Sequence, residues 1–269
     1  MIAQHFLTQG ANVVIAARHQ NTLDAAIKTL IPFCKHGNQV IAQVTDITNE
    51  QHCHDLIAFA LHHFGKLDVL VNNAGIHGAK GNIEKVDWVE WVSAIEVNLK
   101  GTVLMTRAVL PHLKKQRAGK IIMLSGGGAT KPMPNMSAYA VSKAAVVRLV
   151  ETIAEEIKSH DIDVNAIAPG ALNTRLLDDV LQAGADLVGE KYYSQVLAQQ
   201  KNGGNDIHRA AQLAVFLASS QSDGITGKLI SAVWDPWEQF DQHRDALANT
   251  DIYTLRRIVP KERGMEWGN

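Results

Sequence analysis

Tyr139 and Lys143 stand four residues apart in Ser137-Ala-Tyr-Ala-Val-Ser-Lys143, at the start of a strongly helical stretch. On a helix that spacing turns both side chains to one side, about one turn from each other. A phenol with a reference pKa near 10 needs a shift of about three units to exchange protons near pH 7. A neighbouring ammonium stabilises the phenolate with the required sign. Such a pair arises by chance in about a quarter of chains of this composition, so other residues must support it. Alone, it reads equally as an exposed helical tyrosine and a solvated lysine.

Three further segments bear on the choice. Val71-Asn72-Asn73-Ala74-Gly75 ends an apolar run with amides and small residues. A glycine after a strand allows close backbone approach to a ligand, and asparagine can bridge main-chain groups; the plainer reading is an Asn-rich turn. Asn165-Ala-Ile-Ala-Pro169-Gly170, followed by Thr174, closes another apolar run, as a ligand edge or as a simple loop breaker. Val97-Asn98-Leu99 puts an amide inside an otherwise apolar helix, where an unpaired side chain costs about 1 to 3 kcal/mol. Asn98 needs a partner.

The elements that must position these groups alternate. Strand-length runs rich in Val and Ile recur at Asn12–Ala16, Gln39–Val44, Leu67–Val71, Lys120–Leu124, Asp163–Ile167 and Lys228–Ala232. Between them, helical spacing marks Thr22–Leu30, Glu50–Phe64, Val86–Leu99, Thr102–Lys115 and Ser137–Ser159. In Glu50–Phe64 the residues Cys53, Ile57, Ala60, Leu61 and Phe64 make one apolar stripe. The alternation predicts an α/β fold, a doubly wound parallel sheet with helices on both faces. Ligands of such sheets collect beyond the carboxyl ends of the strands, here the loops after Val71, Leu124 and Ile167.

The chain has 269 residues, 46% apolar and 20% charged, enough to bury a sizeable core. With no repeat or linker in 1–269, one domain is expected, its character changing only in the tail 233–269. Lys plus Arg number 26 against 27 Asp plus Glu, so no global field draws the chain to a polyanion or an anionic membrane. Nucleic-acid and membrane partners are therefore disfavoured. No apolar run approaches the roughly 18 to 20 residues of a membrane span. Cys34 and Cys53 have neither CxxC spacing nor scaffold density, which with the absence of a secretory signal suggests a cytoplasmic protein.

Taken together, these motifs closely resemble the classical branch of the short-chain dehydrogenase/reductase family. The likeness runs from about Ile2 to Ala232: Asp46-Ile-Thr48, Asn72–Gly75, Val97-Asn98-Leu99, Tyr139–Lys143 and Pro169-Gly170 with Thr174 follow the family's order and approximate spacing. The resemblance implies a Rossmann-like three-layer fold, a nicotinamide cofactor and a small-molecule alcohol or carbonyl substrate. It makes Tyr139 the acid/base, with Lys143 holding the nicotinamide ribose and lowering the Tyr139 pKa, and Asn98 anchoring a proton-relay water. Asp46 and Ile47 would border the adenine. Asn73, Ala74 and Gly75 would line the adenosine and ribose side, and Pro169, Gly170 and Thr174 the nicotinamide carboxamide. A homodimer or homotetramer through Thr102–Lys115 and Ser137–Ser159 is also implied.

NAD enzymes of this architecture usually carry a carboxylate at the end of the second strand to bond the ribose hydroxyls. Here Val14-Ile-Ala-Ala-Arg18 has Ala17 and then a guanidinium, which suits a 2′-phosphate. NADP(H) is thus preferred and NAD(H) possible, unless Arg18 is only a solvated loop cation.

The sequence departs from the family in two places. No glycine-rich loop precedes Gly10, and the residues given begin within the family's first helix, without its central first strand. Either this is a shortened reading of a longer polypeptide or a variant with little cofactor affinity; a slot between two buried strands is expected. The serine expected thirteen residues before the tyrosine is replaced by Gly126, with Ser125 one place earlier. Ser125 takes the catalytic role if the glycine run lets it face the site, whereas strand alternation would turn it away.

His52, His54, His62 and His63 do not complete a metal set, so no metal site is expected. Trp88, Trp91, Val92 and Ile95 read as core or subunit contact. By resemblance, Leu176–Gly204 closes over the substrate, with Tyr192 and Tyr193 as contacts. Trp234, Trp237, Arg256, Arg257 and Trp267 would cover an active site, a neighbouring subunit or simply the chain's own core.

Overall fold

The computed structural model describes residues 1–35 and 37–267. Six strands, β1 (Val13–Ala17), β2 (Val40–Val44), β3 (Val69–Asn72), β4 (Gly119–Leu124), β5 (Ile162–Ala168) and β6 (Leu229–Ser231), alternate with helices and pair only in parallel. The principal helices are α1 (Ile2–Thr8), α2 (Gln20–Leu30), α3 (Glu50–Phe64), α4 (Trp88–Ile95), α5 (Gly101–Gln116) and α6 (Ser137–Glu156). They are followed by α7 (Arg175–Ala183), α8 (Ala185–Val188), α9 (Glu190–Asn202), α10 (Ile207–Ala218) and α11 (Arg244–Asn249).

Strand alternation builds two cores. Ile121 and Met123 of β4 join Val164 and Ala166 of β5 under α3, α5 and α6, while Ile122 and Ile167 point to the other face under α10. Burying each of the larger of these side chains contributes about 1.5 to 3 kcal/mol, so this double covering holds β4 and β5 as the rigid centre of the sheet. The result is the expected three-layer arrangement.

The sheet is divided. β1 pairs with β2, Val13 opposite Val40 through Ala17 opposite Val44, and the remaining strands run in the order β3-β4-β5-β6. Among the described residues, no ladder joins β1 to β3, and Val13–Ile15 and Val69–Val71 are only half-buried. This break lies where the resemblance puts a central strand.

The expected helix Val86–Leu99 ends earlier as α-helix. α4 widens at Glu96–Lys100 into a π-helical turn and continues directly into α5. Such a turn inserts one extra residue and re-aims a side chain, here Asn98. α10 escaped the helical reading because its buried face is largely alanine, namely Ala210, Ala211 and Ala214 with Leu213 and Leu217, although Asp206 caps it by accepting from His208 N at 2.8 Å.

The tail covers the chain's own sheet edge. Leu229 N donates to Tyr253 O at 2.8 Å, and the buried Lys228 ammonium donates to Thr250 O and Ile252 O at 3.0 Å each. Those bonds satisfy the outer side of β6. Trp237 packs against Phe216 in the core, whereas Trp234 and Trp267 are exposed and Arg256 pairs with Asp251 and Glu262. Trp88 is also exposed, stacked on Trp91, which is half-buried and donates from Nε1 to Ser137 Oγ at 3.0 Å. No helix of the described residues is long and apolar enough to cross a membrane.

Candidate active site

α6 starts beside the carboxyl end of β4, which sets Tyr139 and Lys143 against Leu124–Gly126. Lys143 is 4% exposed and its ammonium donates to Leu124 O at 2.8 Å. It lies 5.8 Å from the centre of the Tyr139 ring. Leu124 O is the last carbonyl of β4, so one end of the paired residues is locked to the sheet.

Asn98 finds the partners its burial demanded. Its Oδ1 accepts from Ile76 N at 2.8 Å, and its Nδ2 donates to Ile76 O at 2.8 Å and to Ser142 Oγ at 2.9 Å. Ser142 in turn donates to Tyr139 O at 2.8 Å. Both amide hydrogens are engaged by protein, so a relay water would meet the Asn98 side chain only at the second lone pair of Oδ1. The amide thus ties the strand-end loop after β3 to the first turns of α6.

The electrostatics correct one expectation. Burial pushes the Tyr139 phenol up to about 12, and nearby Tyr192 adds to the shift. The same burial lowers the Lys143 ammonium to about 8. Loss of solvation opposes the charged form of both groups, and the ammonium is engaged by a carbonyl instead of the phenol oxygen. In this arrangement burial favours the neutral phenol, opposite in direction to the acidification that the pairing with Lys143 implies.

The catalytic reading of Ser125 is also corrected. Its hydroxyl is buried and donates to Lys143 O at 3.2 Å, while its N–H donates to Ile167 O at 2.8 Å. Strand alternation has won, and the side chain braces α6. The phenol faces Gly126, where a Cβ would come within 2.6 Å of Tyr139 Oη. Gly126 has an extended backbone, so space alone decides what it can carry. Gly126→Ala, which adds a Cβ and no hydroxyl, is expected to displace the phenol and to reduce turnover about tenfold or more, as misplacements near 1 Å can cost about a hundredfold. Steady-state kinetics check this; an unchanged or higher kcat would show that the phenol yields without harm.

The remaining sequence candidates gather at the carboxyl ends of the strands. Arg18 is exposed just after β1. After β2, Asp46 accepts from Thr48 N at 2.9 Å and Thr48 Oγ1 at 2.8 Å. Those two bonds hold its carboxyl below the usual range against the effect of burial, and the charges of Arg18 and His52 add to them. Ile47 is half-buried against Gly101, where a Cβ would sit 2.6 Å from Ile47 Cδ1. Asn73 and Ala74 are exposed after β3, and Gly75 follows them half-buried. A Cβ at Gly75 would lie 3.3 Å from Lys143 Nζ and 3.4 Å from Asn98 Oδ1. Pro169, Gly170 and Thr174 lead from β5 into α7.

Above Tyr139, α7 to α9 form an apolar cover. Leu177, Val180, Val188 and Val196 pack with Met136, and Tyr139, Tyr192 and Tyr193 lie against them. One neighbour that sequence reading overlooked is His77, directly after Ile76. Its ring stands edge-to-face with Tyr139, 4.8 Å between centroids. No sequence signal distinguished it, because an isolated histidine in a loop has no spacing to read.

Comparison with known proteins agrees with this architecture. The family model "short chain dehydrogenase" matches residues 1–184. Dehydrogenase/reductase SDR family member 4 of Caenorhabditis elegans is 35% identical over 233 residues, covering 85% of this chain and 86% of the relative. The protein of the same name from Homo sapiens is 31% identical over 229 residues, covering 85% and 80%. The crystal structure of NAD+-bound xylitol dehydrogenase superposes with a TM-score of 0.77 at 26% identity, covering 86% of this chain and 92% of that one. The chain thus belongs to the short-chain dehydrogenase/reductase family, oxidoreductases that act on CH–OH groups with NAD(P).

Proposed function

We propose that the chain is an NADP(H)-dependent oxidoreductase that interconverts a small-molecule alcohol and its carbonyl, with Tyr139 as the acid/base. The observation that carries the reading is the buried ammonium of Lys143 on Leu124 O, beside the side-chain-free Gly75 and within a ring's width of Tyr139. An ammonium beside a position without a side chain suits the nicotinamide-ribose half of a dinucleotide, since any Cβ at Gly75 would crowd both Lys143 and Asn98. Lys143 would hold the ribose hydroxyls, with Asn73, Ala74 and Gly75 along the same side, Asp46 and Ile47 at the adenine, and Pro169, Gly170 and Thr174 at the carboxamide. The cofactor, when bound, supplies or accepts the hydride.

The protein's own share is proton transfer and positioning. Tyr139 Oη gives its proton to the substrate oxygen in reduction and takes it back in oxidation. A phenol pushed up to about 12 starts in the form that reduction requires. Asn98 and Ser142 fix Tyr139 through its own turn, and Ser125 fixes Lys143 through its carbonyl. The cover formed by α7 to α9 excludes water from the phenol.

Arg18 supports the cofactor preference: it is a free-facing guanidinium at the end of β1, and Ala17 offers no carboxylate to bond ribose hydroxyls. A second reading, the family fold with little cofactor affinity, is favoured by the divided sheet. NADPH fluorescence titration separates the two. Saturable binding in the micromolar range, weakened about tenfold or more by Arg18→Glu while NADH binding is unaffected, supports the first. No binding at millimolar NADPH supports the second.

We further propose a homodimer or homotetramer built on the apolar face that Val103, Leu110 and Pro111 of α5 share with Leu149 and Ile153 of α6. Both cysteines are free thiols, which suits the cytoplasm.

A further inference from the structure

Of the residues that follow β4 beside the Tyr139 phenol, neither Gly126 nor Ser125 offers it a side-chain hydrogen-bond donor to share the substrate oxygen. Gly126 has none to give, and Ser125 is turned onto Lys143 O. A carbonyl oxygen that gains charge during hydride transfer is stabilised by preorganised donors, and one proton donor alone leaves it under-served.

His77 is placed to fill that need. It is 6% exposed, and its Nδ1 is buried without a hydrogen-bond partner. A buried polar atom of that kind costs about 1 to 3 kcal/mol unless a ligand or water meets it. The backbone that carries it is pinned at three points. Asn98 grips Ile76 by both N–H and C=O. Gly78, at φ +67°, lies so close to α4 that a Cβ would sit 2.6 Å from Ala94 Cβ. Gly81 N donates to Asn135 O at 2.9 Å, four residues ahead of Tyr139. The imidazole carried on that pinned backbone stands 4.8 Å from the phenol ring, centroid to centroid.

We propose that His77 donates a hydrogen bond from its ring to the substrate oxygen at Tyr139, as the second donor of the site. The inference rests on the alcohol–carbonyl reading above. His77 keeps its proton throughout, and the proton transferred is that of Tyr139 Oη. Burial first, and then the charges of Lys80 and Lys143 against that of Asp179, lower the imidazole to about 4, so it is neutral and offers one N–H and one lone pair across the working range.

The test uses the intact chain, 4-nitrobenzaldehyde as an activated carbonyl, NADPH, and 4-nitrobenzyl alcohol as a non-reacting probe in the absence of cofactor. His77→Phe keeps the ring contact with Tyr139 and removes both nitrogens. Its kcat is expected to fall about a hundredfold with a smaller change in KM, while His77→Gln, which restores an N–H, recovers about tenfold. In the parent protein, the 15N resonances of the His77 ring are expected to shift when the alcohol is added. A kcat for His77→Phe within about threefold of the parent, or ring resonances that ignore the alcohol, overturns the proposal and leaves His77 a packing residue. Should the parent itself turn over no faster than Tyr139→Phe, the dehydrogenase reading fails, and the ring resonances alone decide whether His77 meets a ligand oxygen.

Discussion

Tyr139→Phe lowers kcat for alcohol–carbonyl interconversion by about 10² to 10⁴-fold, the share typical of a positioned proton donor. The phenylalanine ring retains the contacts with His77, Met136 and the apolar cover, so what is removed is one oxygen. No hydrogen bond to Tyr139 Oη exists among the described residues, and its loss orphans no buried group. The thermal midpoint should accordingly stay within about 2 °C of the parent, since surface or unpartnered changes rarely exceed about 0.5 kcal/mol. Kinetics and a melting curve on the same preparation separate chemistry from folding. Turnover within tenfold of the parent would falsify the acid/base assignment.

Asn98→Ala is expected to act on stability as well as on rate. Three hydrogen bonds disappear; Ile76 N–H and Ile76 C=O lose their partner, and Ser142 Oγ keeps only its bond to Tyr139 O, in a site where Asn98 is 1% exposed. With about 1 to 3 kcal/mol for each buried group left unpaired and some relief by entering water, a loss of about 3 kcal/mol follows. For a chain of this size that lowers the melting midpoint by about 6 to 12 °C. Turnover should fall as well, because the amide holds both the His77 loop and the Tyr139 turn. Ser142→Ala removes one member of the same network, so the double variant should lose less than the two single losses together. Additive losses would mean that Asn98 and Ser142 do not act as a unit.

Reading the fold from sequence worked where burial is periodic. The six apolar runs became β1 to β6 with shifts of one or two residues, because strands covered on both faces must be continuously apolar. It faltered at Val86–Leu99, where the periodicity continues through the π-helical turn and nothing local marks the widening. It missed α10 because alanine makes a weak stripe, although Ala210, Leu213, Ala214, Phe216 and Leu217 of α10 are all buried on that face of the sheet. The tail was open to several readings since its aromatic residues carry no period, and only its bonds to Leu229 and Lys228 show that it seals the edge of β6.

In the site, the pairing of Tyr139 with Lys143 follows from helical spacing alone, and the need of Asn98 for partners follows from the cost of burying an amide. These are consequences of chain geometry and hold in any packing of α6 and α5. The direction of the Ser125 hydroxyl, the closeness of Gly126 to the phenol, the His77 ring beside Tyr139 and the upward shift of that phenol are different in kind. Each depends on how far segments distant in sequence approach one another and on how much water their packing removes. Neither quantity is encoded in the spacing of neighbours along the chain.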